Sequence, residues 1–183
     1  MAKYLKVVFG NKGVNYEYKV DEVNIADIWN PNATNPKEMG GFNFSTEDKI
    51  LRWLVRGDTL YDVIIPDDAE VIDCPSESAP HGVYRSNKII LTNPRPMTDE
   101  IAMEFYLKSD LPEKSYYKSL AGVAVRGYRK TSFKILEDKV NKDNIDLVLE
   151  EFDDFINPYK DSFDDKYDVL NDIIKKLEDI KNS

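Results

Sequence analysis

Proline sets the strongest limit on what the middle of this chain can build. Leu60-Tyr61-Asp62-Val63-Ile64-Ile65 stops at Pro66, Glu70-Val71-Ile72-Asp73-Cys74 stops at Pro75, and Lys88-Ile89-Ile90-Leu91 stops before Pro94. Proline donates no hydrogen bond to a ladder, so runs cut in this way predict short strands. Beyond Thr98 the pattern changes to apolar residues three and four apart, the spacing of helices. Together these predict an α+β fold: a small antiparallel sheet in the N-terminal half, packed with several helices, and a helical C-terminal half.

The ends of the elements follow from local chemistry. Tyr4-Leu5-Lys6-Val7-Val8-Phe9 and Val14-Asn15-Tyr16-Glu17-Tyr18-Lys19-Val20 read as a hairpin, joined by Gly10-Asn11-Lys12-Gly13. Asn30-Pro31-Asn32-Ala33-Thr34-Asn35-Pro36 reads as a loop. Ser45 is placed to cap a helix, with Asp48 three residues on, Ile50, Leu51, Trp53 and Leu54 as its buried side and Gly57 as its end. Thr98 caps a helix through Lys108, and Pro112 suits the first turn of the next, which ends near Arg126 before Gly127. Further helices are expected over about 130–140, 144–156 and 164–180. The expected organisation is one α+β domain over residues 1–156. Residues 157–183 form an acidic amphipathic helix, packed on that domain or used for association.

A chain of 183 residues, 42% hydrophobic and 32% charged, has the composition of a folded protein. It is long enough to bury a core without a metal or disulfide. The opening MAKYLKVVFG lacks the apolar centre of a signal peptide, and no apolar run approaches the roughly 18 residues of a membrane span. With Cys74 as the single cysteine, the expectation is a soluble protein of a reducing cytoplasm, with no membrane partner.

The residue types offer little to catalysis. His81 is the only histidine, in the loop Ala79-Pro80-His81-Gly82, so any Ser-His-Asp or Cys-His site would have to use it, with Cys74 and Ser78 nearby in sequence. One Cys and one His cannot make a zinc site. Asp67-Asp68 and Asp164-Asp165 fit no metal motif, and Gly40-Gly41 belongs to no phosphate-binding fingerprint. We therefore expect no catalytic residues, no metal and no cofactor.

Charge is the informative feature. The net charge is −9, unevenly spread. Residues 1–113 hold 12 Lys+Arg against 19 Asp+Glu, residues 114–142 hold 8 against 2, and residues 143–183 hold 5 against 13. In the basic block Lys114, Lys118, Arg126, Arg129, Lys130, Lys134, Lys139 and Lys142 alternate with Tyr116, Tyr117, Tyr128 and Phe133, a mixture suited to phosphates and stacked bases. Arg126, Arg129, Lys130 and Lys134 are the candidate contacts to double-stranded DNA. The alternative is core aromatics with solvated lysines. In the acidic region Asp153, Asp154, Asp161, Asp164, Asp165 and Asp168, with Glu150 and Glu151, are candidates to imitate a phosphate backbone and engage a basic partner. The alternative there is a solubilising helix surface.

Two resemblances bear on function. Gly40-Gly41-Phe42-Asn43-Phe44, a helix and short strands resemble, loosely, phage ADP-ribosyltransferase-like folds, whose NAD-site residues find no counterparts here. A longer likeness runs through Gly40–Leu54, Arg56–Val63, Ile65–Glu70, Gly82–Leu91 and Asn93-Pro94. It resembles a family from phages and mobile elements of Gram-positive gut bacteria that includes a type II-A anti-CRISPR protein. The likeness covers about residues 1–156. It implies a stoichiometric inhibitor that contacts Cas9, with or without guide RNA, in the cytoplasm of the bacterial host, and it brings no catalytic residues. Cas9 holds nucleic acid in positively charged channels, so an acidic tail could enter one while the basic block touches DNA. The rival expectations are an ADP-ribosyltransferase-like enzyme modifying a host protein and a DNA-binding accessory protein.

Overall fold

The computed structural model describes residues 3–157 and 167–183. The chain divides into two compact units, Met1–Ile50 with Arg56–Met97, and Leu51–Val55 with Thr98–Ser183. The first holds the sheet and the second the helices, which makes the fold α+β, as the sequence predicts.

The strands are β1 (Tyr4–Val8), β2 (Lys12–Gly13), β3 (Tyr16–Glu17), β4 (Val23–Ile25), β5 (Phe42–Thr46), β6 (Thr59–Ile64), β7 (Val71–Asp73), β8 (Val83–Ser86) and β9 (Lys88–Pro96). Seven of them form one antiparallel sheet in the order β4-β9-β6-β1-β5-β8-β7. A single-turn helix, α1 (Pro36–Met39), precedes β5 and is capped by Asn35. Side chains alternate between faces along each strand. Val8, Phe42, Phe44, Tyr61, Val63, Ile89 and Leu91 therefore gather on one face, and Tyr18 closes over them. Tyr16 meets Phe42 edge-on at 4.8 Å, and Tyr4 meets Phe44 at 5.1 Å.

Three expectations for this unit are corrected. The segment after β1 does not return as its hairpin partner. β6 and β5 occupy the two edges of β1, so no edge is left for it. Gly10 turns the chain at φ +63°, β2 and β3 pair with each other, and Tyr18 folds across the face. Ser45 caps no helix. It lies inside β5, paired with Leu5 and Val83, and Asp48 accepts from the Thr46 hydroxyl instead. The helix is a 3-10 segment, Ile50–Arg56, without a side-chain cap. Gly57 follows it in extended conformation, and only glycine fits there because a Cβ would lie 2.1 Å from the Val8 carbonyl carbon. Finally, Pro94 does not stop β9. The register slips between Leu60 and Asp62, and Asn93, at φ +54°, shares the extra stretch of β9 with Pro94, so no ladder bond is demanded of the proline.

The helical unit follows the sequence closely: α2 (Asp99–Lys108), α3 (Glu113–Val125), α4 (Arg129–Lys139), α5 (Ile145–Ile156) and α6 (Asp168–Asn182). Thr98 caps α2 by accepting from the Ile101 amide at 3.2 Å. Pro112 stands at the N-cap of α3, one place before the expected first turn. α3 is the central helix, packed by α4, α5 and α6, with Tyr117, Leu120, Ala121, Val123 and Ala124 buried. Gly122 allows Val55 to approach, because a Cβ there would meet it at 3.3 Å.

A lysine is buried in the sheet unit. Lys6, 8% exposed, donates from Nζ to the carbonyl of Asn43 at 2.5 Å and to Asn43 Oδ1 at 2.6 Å, and lies 5.7 Å from the ring of Tyr18. Burial, with repulsion from Arg85 and Arg56, pushes its pKa down from 10.5 to about 7. The folded state thus holds fewer protons than the unfolded chain above pH 7, so this group makes stability rise with pH. Below pH 7 lysine is charged in both states and the full cost of burying it remains. Urea unfolding should show stability increasing between pH 7 and 9, by at most about 1.4 kcal/mol per unit. Lys6→Met should flatten that rise and gain most over the parent near pH 6–7. Above pH 9 the half-buried thiol of Cys74 and the tyrosines Tyr18 and Tyr61, all raised by burial, act in the opposite direction.

Candidate partner-binding surfaces

The basic block falls on α3 and α4, and the fold neutralises much of it. Lys114 and Lys118, one turn apart on α3, both reach Glu151 of α5, at 3.8 and 3.4 Å. Arg129, opening α4, donates to Asp172 of α6 at 2.8 Å and lies over Phe133. Lys134 pairs with Asp138 one turn on at 3.1 Å. The Tyr106 hydroxyl and Lys134 together hold the Asp138 carboxyl below the usual carboxylate range. Lys139 lies 4.2 Å from the ring centroid of Tyr116. Of the four candidate DNA contacts, Arg126 is half-buried at the C-cap of α3, Arg129 and Lys134 carry these ion pairs, and Lys130 is exposed. The four are brought to the α3–α4 corner. Exposed pairs are worth only about 0–1 kcal/mol each, so a phosphate can compete for the cations, but the local field is smaller than the residue count implies.

The aromatic residues of the block serve the core. Tyr116, Tyr117 and Tyr128 are buried and Phe133 is half-buried. Tyr117 donates to Glu113 at 2.6 Å, and burial together with that carboxylate pushes its pKa up to about 12. Tyr116 bonds Ser109 at 2.9 Å. None of these three rings is available to stack on a base.

The N-terminus of α4 is also occupied. Asp99, in the first turn of α2, accepts from the amides of Lys130 at 2.7 Å and Thr131 at 3.0 Å, and from the Thr131 hydroxyl at 2.7 Å. The carboxylate thus takes the donors that a helix start would offer to a phosphate.

The acidic candidates divide differently. α5 buries Ile145, Val148, Phe152 and Ile156, and turns Asp146, Glu150, Asp153 and Asp154 outward. At 1.5 Å rise per residue, Asp146, Glu150 and Asp153 follow one another along the helix at about 4–6 Å, with Asp154 directly after. Asp146 bonds Lys181 at 2.6 Å. Asp153 and Asp154 lie near the C-terminal end of α5, whose last turn carries no basic residue. Negative charge there opposes the helix macrodipole at a cost of roughly 0.3–1 kcal/mol each, so these two acids do nothing for the helix that carries them. Asp168 is exposed in the first turn of α6, where the macrodipole favours it. Asp161, Asp164 and Asp165 lie outside the described residues. Glu151 faces the lysines of α3, a role its place beside Val148 and Phe152 on the helical wheel could have disclosed.

His81 and Cys74, weighed for catalysis, have different neighbours. His81 is 83% exposed, with Nδ1 3.6 Å from Asp73. Cys74 Sγ contacts Ile72 O and Met39 Sδ, and burial raises its thiol pKa, which keeps it protonated and weakly nucleophilic. Gly40 and Gly41 form the tight turn expected of them, with Cβ positions 2.2 Å from Ile28 O and 2.5 Å from the Trp29 ring. Among the described residues no three His, Cys, Asp or Glu cluster as metal ligands, and no helix is long and apolar enough to cross a membrane. Compared with known proteins, the chain matches no family model, no curated protein and no solved structure.

The cap from Asp99 has a measurable weight. Asp99→Ala removes the acceptor for two amides and a hydroxyl and should destabilise the protein by about 1–3 kcal/mol in urea unfolding. Asp99→Asn, which keeps one acceptor oxygen, should cost less.

Proposed function

We propose that this protein acts by stoichiometric binding, as an anti-CRISPR inhibitor that presents the acidic outer face of its helices to a nucleic-acid groove of Cas9 in the bacterial cytoplasm. The observation that carries the binding mode is the pair Asp153 and Asp154, exposed at the end of α5 where negative charge works against the helix. Charges held against local stability are what a surface selected for a basic partner would keep. The identity of the partner rests on the sequence resemblance through residues 40–94. The corner formed by Arg126, Arg129, Lys130 and Lys134 is assigned a secondary role, weak contact with DNA phosphates. Because Arg129 and Lys134 are already paired, its salt dependence should be shallower than that of four free cations.

The decisive experiment replaces Glu150 with Gln and Asp153, Asp154 and Asp168 with Asn. Circular dichroism should show the helices intact. The association rate with purified Cas9 at low salt should fall by about tenfold or more, with the difference closing as salt rises. An unchanged rate across salt concentrations would make the acidic face a solubility device and overturn the proposed mode. His81→Ala and Cys74→Ser should each leave inhibition within a few-fold of the parent, with inhibition titrating near one-to-one. A hundredfold loss in either folded variant would instead point to turnover.

A further inference from the structure

The sheet has two faces, and one of them is finished only in part. Asn24, at the centre of β4, is 2% exposed and paired with Ile89, so it points to the face that carries the aromatic cluster. Its Oδ1 accepts from the Lys19 amide at 2.9 Å, and its Nδ2 donates to the Lys19 carbonyl at 3.0 Å. The Tyr16 hydroxyl accepts from the Ile25 amide, which closes the outer edge of the strand. These bonds fix how β4 is turned. Val23 and Ile25 therefore stand on the opposite face, 47% and 59% exposed.

That opposite face is buried at the middle of the sheet and bare towards its end. Leu5, Val7 and Leu60 point the same way on β1 and β6 and are buried. Further out, Val23 is paired with Ile90, and Ile90 with Ile64, so three β-branched residues form a row across β4, β9 and β6. Ile64 is half exposed. The row has a polar border on each side. On one, Thr92, paired with Asp62, donates its hydroxyl to Asp21 at 2.6 Å. On the other, Lys88, paired with Ile25, is bonded to Asp68, and Asp67 adjoins it in the chain.

The dimensions are those of a helix. Four residues of strand separate the borders by roughly 13 Å, and an α-helix with its side chains is about 10–12 Å wide. Two strand spacings give the row a length of about 9.6 Å, and helical residues seven apart lie about 10.5 Å from one another. The charge is one-sided. The nearby cations are already matched, Lys88 with Asp68 and both Lys3 and Arg95 with Asp62. Asp21 and Asp67 are exposed and, among the described residues, carry no ion pair.

We propose that the row of Val23, Ile90 and Ile64 receives an amphipathic helix of a partner protein. The helix lays apolar residues at i, i+3 or i+4 and i+7 along the row. It carries Lys or Arg on both flanks, against Asp21 on one border and Asp67 and Asp68 on the other. Apolar contact supplies the affinity, and the flanking charges supply selection. A second copy of this chain fits poorly, because both borders are acidic and either orientation would set acid against acid. The surface lies on the sheet unit and is separate from the acidic helix face, so the two proposals stand or fall independently.

The test uses the full chain and two fluorescent, helix-stapled peptides of about four turns. Both carry one stripe of leucines, flanked by lysines in one peptide and by glutamates in the other. Anisotropy at low salt should show the lysine-flanked peptide binding at least about tenfold tighter, with the ratio shrinking as salt rises. Peptide-induced shifts of amide resonances should map to β4, β9 and β6. Replacing Val23 and Ile64 with Thr keeps β-branched side chains at exposed positions, so the thermal melt should match the parent while affinity falls about tenfold or more. Replacing Asp21, Asp67 and Asp68 with Asn should abolish the discrimination between peptides. A cationic peptide could also settle on α5, so the control carries Glu150→Gln, Asp153→Asn and Asp154→Asn and should bind as the parent does. Failure of both peptides to bind, equal binding of the two by the parent, undiminished affinity in the Thr variant or unaltered discrimination in the Asn variant would each overturn the proposal. So would amide shifts confined to the helical unit, or binding lost in the α5 control. Sedimentation showing a dimer that the Thr variant dissolves would make the occupant a second copy and overturn it as well.

Discussion

Much of this structure follows from the saturation of one strand. β1 takes β6 on one edge and β5 on the other, and both partners lie more than thirty residues further along the chain. The chain leaving β1 therefore cannot pair beside it and must pass over a face. That passage lays Tyr16 and Tyr18 over the aromatic cluster and closes Lys6 away from water. It also delivers β4 to the far end of the sheet, beside β9. The buried lysine and the exposed apolar row are two results of the same constraint. A strand whose neighbours were close in sequence would have produced neither.

The helical half was legible because its signals are local. Thr98 caps its helix, and Gly127, at φ +80°, lies just past the end of α3. The helix expected over 144–156 forms as α5, although it buries Ile145, Val148, Phe152 and Ile156, where of the expected Leu147, Leu149, Phe152 and Phe155 only Phe152 is fully buried. The sheet was legible only in part, because its signals are distant. Ser45 has the chemistry of a helix cap, but pairing with Leu5 and Val83 outweighs it. Pro94 has the chemistry of a strand end, but a bulge accommodates it. In each case a local preference of about 1 kcal/mol or less met a ladder fixed by residues far away.

The same division separates what could be read of the candidate surfaces. The sign and position of charge were visible, but not its pairing. The basic block contains few acids of its own, yet Glu151 and Asp172, both beyond its end, sit on its cations. The aromatics that suggested stacking on bases fill the centre of the helical unit instead. β4 was overlooked because three residues between acids look like loop. Its signal was there, an apolar residue on either side of an asparagine, but the meaning depends on Asn24 being buried.

The short segment Leu51–Val55 has a further consequence. It lies between strands of the sheet unit in sequence but belongs to the helical unit, where Leu51 and Leu54 are buried. During synthesis the strands through β9 are made and emerge ahead of the helices α2 to α6. The segment must therefore wait, apolar and uncovered, while the rest of its half can already assemble. Completion of the helical unit is tied to the last part of translation, and transiently exposed apolar surface of this kind is what makes a partly made chain prone to aggregate.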